Sequence, residues 1–210
     1  MIAIVKYNAG NIQSVLFALE RLGVEAVWTD DPALLQKAEK VIFPGVGEAS
    51  SAMRYLRSKG LDVVLRHLTQ PVLGICLGLQ LFCRHSEEND TPCLGIFDVA
   101  VRKFDATPAS FGAADAPPQD KAAASLKVPH MGWNTLHDLR GPLFKDIDED
   151  AYTYFVHSYC AEAAPEAIAT CTYGVAFSAA LQRDNFYAVQ FHPEKSGAVG
   201  QKILENFINL

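Results

Sequence analysis

The stretch Val72-Leu73-Gly74-Ile75-Cys76-Leu77-Gly78-Leu79-Gln80 predicts a short buried strand that passes directly into a helix. Gly74 and Gly78 stand two residues before and two residues after Cys76, where larger side chains would collide in so tight a turn. The turn places Cys76 at the carboxyl edge of a sheet and at a helix N-terminus, where the helix dipole favours a thiolate. The stretch alone leaves two readings open, a nucleophile and a buried structural cysteine.

The residues before this stretch alternate short apolar runs with helical patterns, which predicts a parallel sheet covered by helices. The fold class expected is therefore α/β, with an open, flavodoxin-like, mostly parallel central sheet flanked by helices. Ligand sites in such sheets lie at the carboxyl ends of the strands. The predicted strands are 2–6, 25–28, 40–43 and 72–75, and the predicted helices begin near Asn11, Pro32, Glu48, Leu61 and Leu77.

The second half has strand candidates with short turns and little helix between them, which predicts a mixed or antiparallel β region. These candidates are 95–101, 152–156, 167–172, 175–182 and 187–191, followed by a final helix over 197–209. Residues 104–127 are rich in Ala, Pro and Asp without periodicity, so we expect a flexible surface insertion there. We expect residues 1–210 to form a single domain.

Composition excludes several classes of function. The formal charge of −6 argues against a nucleic-acid surface. No apolar run approaches the roughly 20 residues that a membrane span needs, and residues 1–6 do not resemble a signal peptide. The five cysteines include no CxxC pair and have no disulfide-framework spacing. We therefore expect reduced thiols in the cytoplasm, with no metal site and no membrane or nucleic-acid partner.

A thiolate nucleophile needs a base and a group that orients the base. The segment Val189-Gln190-Phe191-His192-Pro193-Glu194 offers both, because side chains two residues apart in an extended chain project to the same face. A lone histidine at a strand end is more often a surface or core residue. Downstream of a glycine-bracketed cysteine, however, His192 with Glu194 favours a catalytic triad with Cys76, and the Leu77 N–H becomes a candidate oxyanion donor.

These two segments together resemble the triad-type, class I glutamine amidotransferases. The resemblance implies that Cys76 attacks the side-chain amide of L-glutamine, that ammonia leaves, and that water releases glutamate from a thioester. His192 is then the general base and acid, Glu194 orients it, and no cofactor is needed. The resemblance also places Gln80 and Glu88 against bound glutamine.

Four further segments, together with Gly10-Asn11, are similar to the glutaminase subunits of imidazole glycerol phosphate synthases, which act in histidine biosynthesis. These segments are 44–47, 129–134, 155–159 and 192–196. The similarity implies a heterodimer with a cyclase subunit of (β/α)₈ fold, to which the ammonia passes. It assigns Gly45, Gly47, Ser158 and Tyr159 to the glutamine site. It assigns Asn11, Trp133, Tyr154 and Lys195 to the cyclase interface.

The turn Gly45-Val46-Gly47 stands where the wider family has a glycine-glycine turn that supplies the second oxyanion donor. A β-branched residue restricts the rotation of its peptide. Our hypothesis is that the Val46 N–H points away from the site until the liganded cyclase favours the active arrangement.

Three alternatives remain open at this stage. The chain could be the glutaminase of another amidotransferase, serving pyridoxal phosphate, anthranilate, purine or guanylate synthesis. It could be a free-standing thiol hydrolase, such as a peptidase or γ-glutamyl hydrolase, which should be active alone. It could also be a non-catalytic binding module, which would tolerate loss of Cys76.

Overall fold

The computed structural model describes residues 1–7, 12–105 and 126–210. The strands in chain order are β1 Ile2–Val5, β2 Ala26–Thr29, β3 Lys40–Gly45, β4 Val72–Cys76, β5 Cys83–Ser86, β6 Thr91–Pro92, β7 Phe97–Lys103, β8 His130–Thr135, β9 Tyr152–His157, β10 Tyr159–Ala161, β11 Ala167–Tyr173, β12 Val175–Arg183 and β13 Phe186–Val189. The helices are α1 Gln13–Arg21, α2 Pro32–Lys37, α3 Ala49–Ser58, α4 Leu61–Arg66, α5 Leu77–Phe82 and α6 Gly197–Ile208.

A seven-stranded sheet forms the centre of the fold, in the order β11-β12-β13-β4-β3-β1-β2. The five strands from β13 to β2 run parallel, whereas β11 and β12 are antiparallel to their neighbours. This arrangement confirms the predicted α/β class with its parallel core and its antiparallel C-terminal region. Because β13, β4 and β3 are adjacent and parallel, the residues that follow them meet at one edge of the sheet.

The two faces of the sheet bury different apolar sets, as the two-residue period of a strand requires. On β3, Val41 and Phe43 pack into the layer that contains α3, α4 and α5, whereas Ile42 packs into the layer that contains α1 and α6. The central strands are therefore apolar on both sides, which is typical of a helix-covered parallel sheet.

Two smaller sheets stand beside the central one. The first has the order β10-β7-β5-β6, and the second is the antiparallel hairpin-like pair of β8 and β9. The strand β8 is not predicted from the sequence, because His130 to Thr135 mixes polar, aromatic and glycine residues without a regular apolar pattern. Its pairing with β9 overrides that weak local signal.

Phe104, the first residue of the predicted insertion, is 3% exposed and packs edge-on against Tyr173 and Phe177. Leu126, near the other end, packs against the same layer of the core. Residues 106–125 lie outside the described residues, so the flexible insertion stays a prediction. Among the helices of the described ranges, none is long and apolar enough to cross a membrane.

Candidate active site

Cys76 stands at the junction of β4 and α5 in a strained conformation, with φ of 53° and ψ of −106°. Such backbone angles are costly for a residue with a side chain and cluster at functional sites. A Cβ on Gly74 would lie 2.9 Å from the carbonyl carbon of Gly78, and a Cβ on Gly78 would overlap the Phe43 carbonyl oxygen. Both glycines of the predicted turn are therefore required by close backbone approach, one across the turn itself and the other against β3.

His192 and Glu194 lie beside Cys76 in the chain that follows β13. Nδ1 of His192 is 2.7 Å from Oε1 of Glu194, and both side chains are almost fully buried. The prediction of an extended chain here is wrong, because Pro193 opens a short 3₁₀ turn over Pro193–Lys195. The turn still brings the Glu194 carboxylate to Nδ1 of the histidine ring, which fixes the ring orientation and leaves Nε2 free of that contact.

The environment of His192 favours its charged form. Burial lowers the pKa of this imidazole, but the neighbouring Cys76 sulfur and the Glu194 carboxylate outweigh burial and raise the pKa to about 10. Nε2 is buried without a hydrogen-bond partner among the described residues. Since Nδ1 is occupied by Glu194, the influence of Cys76 reaches the ring on its Nε2 side, where the thiol proton would be received.

The sulfur of Cys76 has two polar contacts that are not predicted from the sequence. The thiol is 3.9 Å from the Val156 carbonyl oxygen on β9, to which it donates a long hydrogen bond. The side-chain N–H of Gln190 donates to the sulfur over 3.7 Å. Gln190 is fully buried at the end of β13.

A pocket of about 350 Å³ opens in front of Cys76. This volume is of the size that holds small ligands. Its walls bring together most of the residues that were assigned to glutamine from the family resemblance. The lining residues are Val46, Gly47, Cys76, Leu77, Gln80, Glu88, Pro129, Val156, His157, Ser158 and Tyr159.

Glu88 and Gln80 line the pocket, and each already makes hydrogen bonds to other parts of the protein. Oε2 of Glu88 accepts from the backbone N–H of Ala49 over 2.7 Å, and burial raises the pKa of this carboxyl group. Nε2 of Gln80 donates to the Tyr159 carbonyl over 2.9 Å and to Oε1 of Gln190 over 3.1 Å. Glu88 is thereby tied to the segment that follows the predicted oxyanion turn.

The predicted oxyanion turn forms one wall of the pocket, except for Gly45. Gly45 pairs with Cys76 across the sheet and is buried behind the wall, since a Cβ there would overlap the hydroxyl oxygen of Tyr7. That hydroxyl donates to the Pro44 carbonyl over 2.8 Å. Gly47 has φ of 127°, a backbone conformation that favours glycine, although a Cβ there would meet no neighbour.

Of the residues predicted for a partner interface, Trp133, Tyr154 and Lys195 lie outside the pocket. Trp133 on β8 is 55% exposed and meets Tyr154 on β9 edge-on, with ring centroids 6.0 Å apart. Lys195 is exposed on the turn that carries Glu194. Asn11 lies outside the described residues.

A buried histidine pair links β8 and β9 beneath the pocket. Nδ1 of His130 is 3.0 Å from Nε2 of His157, and Nδ1 of His157 is 2.7 Å from the Tyr159 carbonyl oxygen. The carbonyl can only accept, so His157 donates to it and accepts from His130. Burial lowers the pKa of His157 to about 3 and that of His130 to about 4, so both rings are neutral near pH 7.

The sequence is similar to that of known proteins over nearly its whole length. The family described as Glutamine amidotransferase class-I matches residues 4–210. The chain belongs to the class I glutamine amidotransferases. It is 52% identical to the imidazole glycerol phosphate synthase subunit HisH of Bacteroides thetaiotaomicron, covering 100% of this chain and 99% of that protein. It is 44% identical to the HisH subunit of Colwellia psychrerythraea, covering 99% and 92%.

A solved glutamine amidotransferase structure, 18% identical, superposes with a TM-score of 0.69 over 100% of this chain and 98% of that one, which shows the shared fold. The family resemblance inferred from the sequence is confirmed by these matches, and this amidotransferase chain is a glutaminase subunit. Its four other cysteines are buried, and burial raises the pKa of each thiol. Cys76 is also buried, but it lines the pocket, and none of the other four does.

Proposed function

We propose that Cys76, His192 and Glu194 hydrolyse L-glutamine and that the ammonia released passes to a cyclase subunit. That cyclase makes imidazole glycerol phosphate and aminoimidazole carboxamide ribonucleotide in histidine biosynthesis. The observation that carries the proposal is the meeting of Cys76, the His192–Glu194 pair and the pocket wall at one edge of the sheet. The 52% identity to a HisH subunit over the whole chain supports the pathway.

The chemistry follows from the order of contacts. Nε2 of His192 takes the thiol proton, and the Cys76 sulfur attacks the side-chain carbonyl carbon of glutamine. The carbon–nitrogen bond breaks as His192 returns the proton to the leaving ammonia, which leaves a thioester on Cys76. A water molecule, deprotonated by the same ring, then attacks the thioester and releases glutamate. Glu194 stabilises the imidazolium that forms in each step.

Developing charge on the carbonyl oxygen needs donors, and two are available in principle. The Leu77 N–H follows Cys76 at the start of α5, and the Val46 N–H belongs to the pocket wall. We infer that the Val46 donor is supplied only when the cyclase and its ligand favour it. Loss of one oxyanion donor costs on the order of 10²- to 10³-fold in rate, which is enough to keep the free subunit nearly silent.

The remaining pocket residues would bind the amino-acid end of glutamine. We assign the α-ammonium group to Glu88, the side-chain amide to Gln80, and the α-carboxylate to the neighbourhood of Gly47, Ser158 and Tyr159. A carboxylate opposite an ammonium and N–H groups opposite a carboxylate provide the charge complementarity that an amino acid requires.

The cyclase, of (β/α)₈ fold, would cover the outer face of β8 and β9. Side chains opposite each other in this antiparallel pair share a face, so Met131, Trp133, Tyr152 and Tyr154 lie together. Met131 and Tyr152 are each 60% exposed, and aromatic residues and Met are enriched at protein interfaces. Lys195 and Asn11 are assigned to the same interface. The reduced cysteines are consistent with a cytoplasmic location.

The decisive assay measures glutamate release from glutamine by the chain alone, with a cyclase subunit, and with the cyclase and its nucleotide ligand. We expect near silence alone, strong stimulation in the complete system and no release by Cys76→Ser. Synthesis by the complex from added ammonium salts should survive Cys76→Ser, which separates loss of chemistry from loss of docking. Equal activity with and without liganded cyclase would instead favour a free-standing hydrolase, and stimulation by another synthase would favour a different pathway.

A further inference from the structure

We infer that Gln190 holds the reacting sulfur through its side-chain N–H and stabilises the thiolate of Cys76 before glutamine is attacked. The observation that carries this is the 3.7 Å contact between Nε2 of Gln190 and the Cys76 sulfur in a fully buried setting. The inference rests on the proposed role of Cys76 as nucleophile. Gln190 would thereby act on the sulfur in addition to the His192 base and the strained turn that carries Cys76.

The direction of the Gln190 amide follows from its neighbours. The Tyr159 carbonyl oxygen can only accept a hydrogen bond, so the group of Gln80 that is 2.9 Å from it must be the NH₂ end. The same nitrogen is 3.1 Å from Gln190, so Gln190 presents its oxygen there. Its NH₂ end is then left facing the sulfur. The backbone carbonyl of Tyr159 thus sets the orientation of two successive amides.

The backbone of Gln190 is held as firmly as its side chain. Its N–H donates to the Ala179 carbonyl on β12 over 2.8 Å, which extends the pairing of β12 with β13 by one residue. A buried donor that is anchored at both ends needs little reorganisation when charge develops on the sulfur, and this preorganisation makes it effective. The Val156 carbonyl, the other contact of the sulfur, accepts only and therefore favours the protonated thiol.

The balance between these two contacts gives Gln190 its function. When His192 removes the thiol proton, the hydrogen bond to Val156 is lost, whereas the Gln190 N–H becomes a charge-assisted donor to the new anion. Hydrogen bonds to charged groups are stronger than those to neutral groups. The arrangement therefore favours the form of Cys76 that attacks the substrate.

The test uses the complete chain without its partner and follows alkylation of Cys76 by iodoacetamide as a function of pH, with peptide mapping to identify the labelled thiol. Gln190→Met keeps the length of the side chain but removes the N–H, and Gln190→Leu removes the amide altogether. We expect the midpoint of the alkylation profile to rise by about one pH unit in both variants, which slows labelling below the midpoint about tenfold.

Two further variants separate this role from a structural one. Gln80→Met should move the midpoint in the same direction, because it removes the donor that orients Gln190; a Gln80 that only binds glutamine would leave labelling unchanged. Gln182→Met on β12 makes the same change in an amide that meets Tyr187 instead, and should give the wild-type profile.

An unchanged profile in folded Gln190→Met and Gln190→Leu would overturn the inference, with folding checked by circular dichroism. Glutamate release that survives in Cys76→Ser would instead overturn the proposed function, so the two failures are distinguishable. In the complex with cyclase, both Gln190 variants should lose about tenfold in kcat with little change in KM, because Gln190 touches the nucleophile and does not line the glutamine pocket.

Discussion

Acidification from about pH 7.5 to about pH 5 is expected to cost this fold about 2 kcal/mol through His157 alone. Burial lowers the pKa of His157 to about 3, so the folded protein keeps this ring neutral throughout that range. In the unfolded chain a histidine with its usual pKa of about 6.5 takes up a proton, which stabilises the unfolded state by RT ln(1 + 10^1.5), or about 2 kcal/mol at pH 5.

The sign follows from the lowered folded pKa. The stability contributed by His157 is complete above about pH 6.5 and is lost as the pH falls towards about 3. The size of the stability loss at pH 5 is set by the pKa of the histidine in the unfolded chain, because the pKa of His157 in the folded protein lies well below pH 5. His192, whose folded pKa is raised, acts with the opposite sign, but it is present in every protein compared and cancels.

The assay is urea unfolding of the wild type and of His157→Gln at both pH values. Gln can still donate to the Tyr159 carbonyl and accept from His130, so we expect a folded protein. The loss of unfolding free energy on acidification should be about 2 kcal/mol smaller in the variant. His67→Gln, at an exposed position, is the matched control. On acidification it should lose as much unfolding free energy as the wild type does. Equal pH dependence in the wild type and in His157→Gln would refute the reasoning.

Three further outcomes are expected. Gly78→Ala forces a methyl group into the Phe43 carbonyl and should lower the free energy of unfolding by about 1–3 kcal/mol, measured with urea. Glu194→Gln keeps the shape of the buried pair but removes its charge, so it should lower kcat of the liganded complex on the order of 10²- to 10⁴-fold in steady-state assays. Trp133→Ala should weaken cyclase binding by about 2 kcal/mol or more in calorimetric titration, since exposed tryptophans are frequent interface anchors.

Each of these outcomes has a matched comparison in the same chain. Gly23→Ala places the added carbon in open space, so any loss that it shows reflects its φ of 70° and not a collision of the kind expected at Gly78. Glu205→Gln changes an exposed carboxylate on α6 and should leave kcat intact. Trp28→Ala removes the half-exposed indole of the edge strand β2; if it weakened cyclase binding as much as Trp133→Ala, the assignment of the β8–β9 face would be wrong.

The parts of the fold that could be predicted from the sequence are those in which local pattern and final environment agree. Val72 to Ile75 is apolar because both faces of β4 are buried, and the glycines around Cys76 are there because backbone atoms approach closely. The strand β8 could not be predicted, since its residues face an exposed surface on one side and a buried histidine on the other.

The candidate site also contains residues that the sequence predicts and residues that it does not. Cys76, His192 and Glu194 belong to two short motifs, and the sequence predicts that these motifs meet. Gln190 and Val156 contact the sulfur only because β13 and β9 converge on it, and a glutamine in a strand or a backbone carbonyl leaves no distinctive local pattern. Contacts of this kind depend on tertiary packing, which one sequence read along its length does not reveal.

The connection between His192, the proposed base, and α6 has a consequence for synthesis on the ribosome. The Ser196 hydroxyl donates to the His192 carbonyl over 2.7 Å and accepts from the Tyr154 N–H over 2.9 Å, and Gly200 packs so closely on the Pro193 carbonyl that no Cβ would fit. The turn that carries the base is thus held by a helix that emerges after it. A nascent chain contains Cys76 before α6 is made, and the turn after His192 is not held in place until α6 docks, so we expect hydrolysis to begin only after this helix has been translated.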